Sequence, residues 1–362
     1  MLNLEQQTPL QKAIEYGATE SMALLSAAPM VDIRKGKNES APIMRALYWG
    51  HENCVRQLLE RQAIQSEQET MLALNIAAEN GNPVCMQHLL HATEAFTTQL
   101  YKQGKTSAIP FNTALHAGHA ESCELLLQSP LSVHITPELK AIFSDNEATL
   151  QANISKQIAV EYRTEQQRTL LHLAAMHGLV AAVRHLLHTA PKLLNMTDEN
   201  GCTPLYLAAD YGRPAVIHEL LLHTDIDINR HNIRMETPLY SATWRGHADC
   251  MQPLLHAGAN ADIADAEACT PLYWAAYWGR EECMSLLLTA QGVDINRIND
   301  AGETPLHIAA AKGKLKCLEL LLQTPGIRLN IKDAHGHTPL RRAILKNHTT
   351  CATLLKKAMQ RK

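Results

Sequence analysis

A block of ten residues returns along this chain at nearly constant intervals, and a chain built that way stacks one small unit on the next instead of closing around a single core. TPLYLAADYG begins at Thr203, TPLYSATWRG at Thr237, TPLYWAAYWG at Thr270, TPLHIAAAKG at Thr304 and TPLRRAILKN at Thr338, with the variant TLLHLAAMHG at Thr169. The steps between these starts are 34, 34, 33, 34 and 34. Fainter copies lie upstream: TPLQKAIEYG at Thr8, APIMRALYWG at Ala41, LALNIAAENG at Leu72 and IPFNTALHAG at Ile109. The gap from Ile109 to Thr169 is too long for one unit, and TPELKAIFSD at Thr136 fills it as a degenerate copy. The reading is one array over residues 1–362, with units starting near 8, 41, 72, 109, 136, 169, 203, 237, 270, 304 and 338.

Each unit reads as helix, turn, helix, loop. Thr is a helix N-cap, and Pro follows where a missing N–H costs nothing. A pair of small Ala residues lets the first helix approach its neighbour. Gly ends that helix in the left-handed conformation. A second helix rich in Leu follows, as in GKLKCLELLL, and then a linker such as GVDINRINDAGE whose Asp, Asn and Gly predict a tight projecting turn. Such a unit cannot bury both faces of its helix pair alone, so the ends of the array should be polar. Arg341, Arg342, Lys346, Lys356, Lys357, Arg361 and Lys362 in the last unit meet that expectation.

The period, the T-P-L-H-x-A-A-x-x-G block, the Leu-rich second helix and the D-x-N before the next turn resemble the ankyrin repeat. The match is tight from Thr169 onward and looser before it, with Asp145 and Asn347 where Gly is expected and irregular linkers at 92–108 and 129–135. The resemblance implies an all-α solenoid of stacked helix-turn-helix units joined by short β-hairpin-like turns. It also implies that the turn tips and the end of each first helix line a concave side that holds another protein. The recurring Cys and the L-L-L-x-T-x-G linker resemble tandem arrays from bacterial genomes, for which delivery into a host cell is one use.

Composition narrows the alternatives. A net charge of −3 gives no argument for nucleic acid or an anionic membrane as partner. No apolar run reaches the length of a membrane span, and MLNLEQQTPLQKAIEYG lacks the pattern of a secretory signal, so a cytoplasmic monomer is expected. Cys54, Cys85, Cys250, Cys283 and Cys317 each lie four residues after the unit's Gly, and Cys351 four after Asn347. That regularity predicts small inward-facing hydrophobes. Equivalent positions in adjacent layers are too far apart for a disulfide. The His residues also fall at repeat positions: His172 and His307 in the motif's own His slot, His51, His119 and His247 just after the turn Gly. With no C-x-x-C and no H-E-x-x-H, neither a metal nor another cofactor is expected. No phosphate loop, nucleophile elbow or nucleophile–base pair is apparent, which predicts a chain that is not an enzyme. The competing reading is an effector or enzyme whose irregular centre, residues 92–168, carries chemistry while the repeats recruit substrate.

The aromatic residues are the remaining signal. They make up only 4% of the chain, yet eight lie between Tyr206 and Trp278. Tyr206, Tyr240 and Tyr273 take the motif's His slot and are read as structural, their hydroxyls seeking partners. Trp274 stands four residues before Trp278 and reads either as a contact residue or as a brace for Trp278. The two positions before each helix-ending Gly point outward in the fold that the resemblance implies. Tyr211, Trp244, Arg245, Tyr277 and Trp278 at those positions are therefore read as the contact surface for a partner protein, with Glu199, Asn200, Arg234, Glu236 and Glu267 at the turn tips as its polar rim. A second aromatic group, Tyr16, Tyr48 and Trp49, occupies the same column near the N-terminus.

Overall fold

A computed structural model describes residues 8–28, 33, 41–94, 97, 109–129, 132, 135–144 and 146–361. Among the described residues the regular structure is all helical, without strands. The chain divides into two compact units, Met1–Ser144 and Asp145–Lys362. The first holds α1 (Pro9–Glu15) and α2 (Thr19–Ala27), α3 (Pro42–Tyr48) and α4 (Glu52–Glu60), α5 (Glu67–Asn80) and α6 (Pro83–Ala92), α7 (Ile109–Ala117) and α8 (Ala120–Gln128), then α9 (Pro137–Ser144). First helices pack on first helices, α1 to α3 to α5 to α7, and second helices on second helices, α2 to α4 to α6 to α8.

The second unit opens with two short helices, α10 (Glu147–Asn153) and α11 (Lys156–Glu161), and continues as six helix pairs. These are α12 (Leu170–His177) and α13 (Val180–Thr189), α14 (Pro204–Asp210) and α15 (Pro214–Leu221), α16 (Pro238–Arg245) and α17 (Ala248–His256). The last three are α18 (Pro271–Trp278) and α19 (Glu281–Thr289), α20 (Pro305–Ala311) and α21 (Leu315–Gln323), α22 (Pro339–Leu345) and α23 (Thr349–Arg361). The first helices stack in series from α12 to α22 and the second helices from α13 to α23, while α10 and α11 lie on α13.

Sequence sets each joint of this frame. Thr169, Thr203, Thr237, Thr270, Thr304 and Thr338 each accept, through the side-chain hydroxyl, the N–H three residues on. The Ala pairs, such as Ala208–Ala209 and Ala275–Ala276, are fully buried between stacked helices. All nine Cys are buried thiols. Burial pushes Cys85 and Cys283 up to about 11 and Cys250 up to about 12, so they sit as small hydrophobes. At the third repeat the helix starts at Glu67 instead of near Leu72, because Ser66 supplies the cap that this copy's motif lacks. The two helices assigned to the fifth repeat, α9 and α10, fall on opposite sides of the division at Ser144. In the last repeat, Arg342 is no free polar end, since it pairs with Glu303 and Asp333. The side chain of Arg361, and Lys362, lie outside the described residues. Much of the irregular stretch between Thr93 and Ile109 lies outside them too.

The turns of the second unit follow one design. Asp198, Asn232, Asp265, Asn299 and Asp333 each stand five residues before the next Thr. The side-chain Oδ1 of each accepts the N–H groups two and four residues on, as Asp265 does from Glu267 (3.1 Å) and Cys269 (2.8 Å). The same four-residue span is closed by a backbone bond, such as Asp265 N–H to Cys269 C=O at 3.0 Å. Successive tips are tied by one backbone bond per layer: Ile233 to Asn200, Ala266 to Arg234, Asp300 to Glu267 and Ala334 to Ala301.

Candidate functional site

The slot three residues after each capping Thr reaches the following turn, and its occupant decides how. In α12 and α20 it is His. His172 accepts the Thr169 N–H at Nδ1 (3.2 Å) and bonds the Cys202 carbonyl through Nε2 (2.9 Å). Both ring nitrogens are committed to the neutral form, and burial pushes its pKa down to about 4. His307 repeats the arrangement, with Nε2 on the His337 carbonyl at 3.1 Å, and burial lowers its pKa as well.

In α14, α16 and α18 the slot is Tyr, and its hydroxyl extends to a carboxylate. Tyr206 donates to Glu236 (2.9 Å), Tyr240 to Asp265 (3.0 Å) and Tyr273 to Glu303 (2.8 Å). The structural reading of these three residues holds, and their hydroxyls have partners. Burial pushes all three phenols up, with the Glu236 and Asp265 carboxylates second for Tyr206 and Tyr240.

The ring nitrogen of Trp274 decides between its two readings. Trp274 does not brace Trp278. Its indole N–H donates to Asp265 Oδ2 at 2.7 Å, which turns the ring across the layer boundary onto Trp244, with centroids 4.3 Å apart at 62°. Trp278 also packs on Trp244, at 5.2 Å, and stays 41% exposed. Tyr240 stacks on Trp244 at 6.2 Å and 17°, and Tyr277 lies against both Trp274 and Trp278. The result is a continuous ladder of rings across α16 and α18. Lys312 of the next layer places its ammonium 4.2 Å from the centre of the Tyr277 ring.

Between this ladder and the turn tips opens a cavity of about 730 Å³, lined by Tyr240, Trp244, Tyr273 and Trp274 on the helix side. Ile233, Arg234, Ala266, Glu267, Asp300 and Ala301 line the turn side, and Glu236 reaches it as well. A larger hollow, about 980 Å³, lies at the ends of α17 and α19. Its wall is more polar, and Arg297 there is engaged with Asp262 at 2.6 Å. The aromatic cavity is the better-built site because large apolar walls and a few fixed polar groups meet in it.

The sequence-derived residues divide around this cavity. Trp244, Arg234, Glu236 and Glu267 line it. Tyr277 and Trp278 continue the ladder beside it. Arg245 is exposed but held in a two-pronged pair with Asp210, at 2.8 and 3.1 Å. Tyr211 is half-buried in the preceding layer, where burial raises its phenol pKa, and neither it, Glu199 nor Asn200 lines the cavity. The sequence reading missed Ile233, which is 70% exposed at a turn tip, and Asp300. Both occupy tip positions, and an apolar residue at an exposed tip was the available signal. In the first unit, Tyr16, Tyr48 and Trp49 are strongly exposed, with the Tyr48 and Trp49 rings 5.4 Å apart.

No group of three or more His, Cys, Asp or Glu able to hold a metal occurs among the described residues, and no helix there is long and apolar enough to cross a membrane. Between 109 and 161 the described residues are largely helical, where the competing reading needs a clefted fold.

Comparison with known proteins fits this architecture. Residues 272–322 and 306–355 match a profile of ankyrin repeats in many copies, residues 139–232 one of three copies, and residues 235–266 one of a single ankyrin repeat. An ankyrin repeat protein, nuc-2, of Neurospora crassa is 30% identical over 201 residues, covering 53% of this chain and 18% of that protein. The ankyrin repeat and SOCS box protein 2 of Bos taurus is 41% identical over 76 residues, 21% of this chain and 12% of its own length. A putative E3 ubiquitin-protein ligase, XBAT31, of Arabidopsis thaliana is 33% identical over 100 residues, 27% of this chain and 21% of its own length. The chain thus spans only a small part of each of these curated relatives.

Proposed function

Since this chain belongs to the ankyrin-repeat family, a family of protein–protein interaction modules, we propose that it binds a segment of a partner protein in the aromatic cavity of α16 and α18 and performs no catalysis itself. The observation that carries this reading is the open ring ladder: Trp244 lines a cavity of about 730 Å³ while Trp278 beside it keeps 41% of its surface in water. Large rings held rigid at a surface suit binding, because they bring much contact area and lose little freedom when a partner docks. Stacking of the repeats fixes them before the partner arrives, so docking orders few groups.

The test is a pull-down with wild-type chain against Trp244→Ala and Trp278→Ala, followed by affinity measurement on the captured partner. Loss of capture with retained helical circular dichroism supports the reading. Unchanged capture by both variants removes it.

A further inference from the structure

Carboxylates outnumber cations in the lining of the cavity, and from this we infer that it takes a basic side chain, Lys or Arg, of the partner. The inference rests on the cavity being the binding site proposed above.

Of the five turns that begin at Asp198, Asn232, Asp265, Asn299 and Asp333, three carry a buried Asp at that position. Asp198 has Arg168 at 3.4 Å and Asp333 has Arg342 at 3.5 Å. No cation pairs with Asp265 among the described residues. Its Oδ2 is held instead by two uncharged donors, the Tyr240 hydroxyl and the Trp274 indole N–H. A fixed negative charge thus sits directly behind two of the rings that wall the cavity. A carboxylate accepting from an O–H and an N–H draws positive charge to those edges and leaves the ring faces richer in electrons, which strengthens their attraction for a cation.

The mouth has the same sign. Glu267 and Asp300 are exposed on adjacent turn tips that line the cavity, and neither has an ion-pair partner among the described residues. Glu236 adds a carboxylate bonded by Tyr206 and Asn232, both neutral. Arg234 is the one basic residue in the lining. Cations are therefore favoured twice, by the carboxylates at the mouth and by the rings within. The chain's own Lys312 lies 4.2 Å from the Tyr277 ring centre at the far end of the ladder and also donates to the Tyr277 hydroxyl at 3.1 Å, so the ladder already holds one ammonium.

The experiment selects random 12-residue peptides, displayed on phage, on the full chain and measures synthetic copies by fluorescence anisotropy. The expected result is a common Lys or Arg. Replacing it with norleucine should weaken binding at least tenfold, and replacing it with Glu should abolish binding. Glu267→Lys and Asp300→Lys should each weaken the basic peptide at least tenfold while the thermal midpoint stays within a degree or two, since both side chains are exposed. Trp244→Phe, which keeps a ring and the fold, should weaken it less than Trp244→Ala. Peptides lost on Trp244→Ala but indifferent to the norleucine exchange would overturn the cation and leave the cavity as the site. Peptides indifferent to Trp244→Ala, or no enrichment at all, would overturn both.

Discussion

The indole of Trp244 rests against that of Trp274 from the next repeat, centroids 4.3 Å apart at 62°, and Trp278 of that same repeat closes on the Trp244 ring at 5.2 Å. Trp278 and Trp244 therefore do different work. Trp278→Ala should leave thermal stability nearly unchanged and weaken partner binding by about 2 kcal/mol. Trp244→Ala should weaken binding by a similar amount and also cost about 1–2 kcal/mol of stability, because the ring is half-buried between layers. Urea melts of both variants beside their binding curves check the separation.

Tyr240→Phe removes one of the two neutral donors on Asp265 Oδ2 and leaves the carboxylate buried with Trp274 alone on that oxygen. A loss of about 1–2 kcal/mol is expected. Tyr206→Phe should cost less, because Glu236 keeps the Asn232 amide and is only partly buried. Denaturant midpoints at constant slope measure the difference.

His172 links stability to pH. Its folded value, about 4, lies below its ordinary 6.5, so between those limits the unfolded chain binds the proton that the folded chain refuses. Its contribution is complete above about pH 6.5 and is lost as pH falls towards 4. Stability should drop by about 2 kcal/mol from pH 7 to pH 5 through this residue. His172→Tyr, which installs the side chain used in the three following repeats, should flatten that slope in urea melts at the two pH values.

Gly212 and His247 form a cross-repeat couple. The glycine sits at φ +65°, and a Cβ there would lie 2.9 Å from the His247 ring, whose Nε2 bonds the Asp210 carbonyl at 3.2 Å. Gly212→Ala should cost about 1–2 kcal/mol from the left-handed backbone and more from displacing the ring. His247→Ala should cost about 1 kcal/mol. The double variant should cost less than the two together, because the displaced ring is already gone. A double-mutant cycle in guanidinium reads this directly.

The thiols give a further check. Burial raises the pKa of Cys85 and Cys317 to about 11 and of Cys250 to about 12, so little thiolate exists at pH 8. Iodoacetamide at that pH should leave the native chain essentially unmodified and label all nine cysteines once it is unfolded, as counted by intact mass.

Periodicity made much of this legible in advance. A Thr that caps, a Pro behind it, paired Ala and a Cys four residues after Gly are local requirements, and each recurs where the geometry recurs. The partners of Tyr206, Tyr240 and Tyr273 were not legible, because each lies 25 to 30 residues further on and in one of two alternative positions. Trp274 stayed ambiguous for a related reason. Its spacing from Trp278 suits a pair within one helix, but an indole N–H entering a partly buried site needs an acceptor, and Asp265 supplies it from the preceding turn. The groove's charge was likewise hidden, since nothing local in the sequence tells that Asp198 and Asp333 have an arginine while Asp265 has none.

The direction of these polar bonds bears on how such a chain changes length. Each Tyr finds its carboxylate before the next capping Thr, inside its own period. What a period asks of the one before it is often only a main-chain carbonyl, as His247 asks of Asp210 and Arg213 of Met176. Any predecessor has one to offer. Duplication or loss of a whole period by unequal exchange within the gene would therefore orphan few buried groups, whereas a cut inside a period would strand a phenol. The ring ladder and the ion pairs Arg184–Glu219, Arg245–Asp210, Arg297–Asp262 and Arg342–Asp333 are exceptions, being side chain to side chain across a boundary, and an exchange at those boundaries would leave a ring or a charge without its partner.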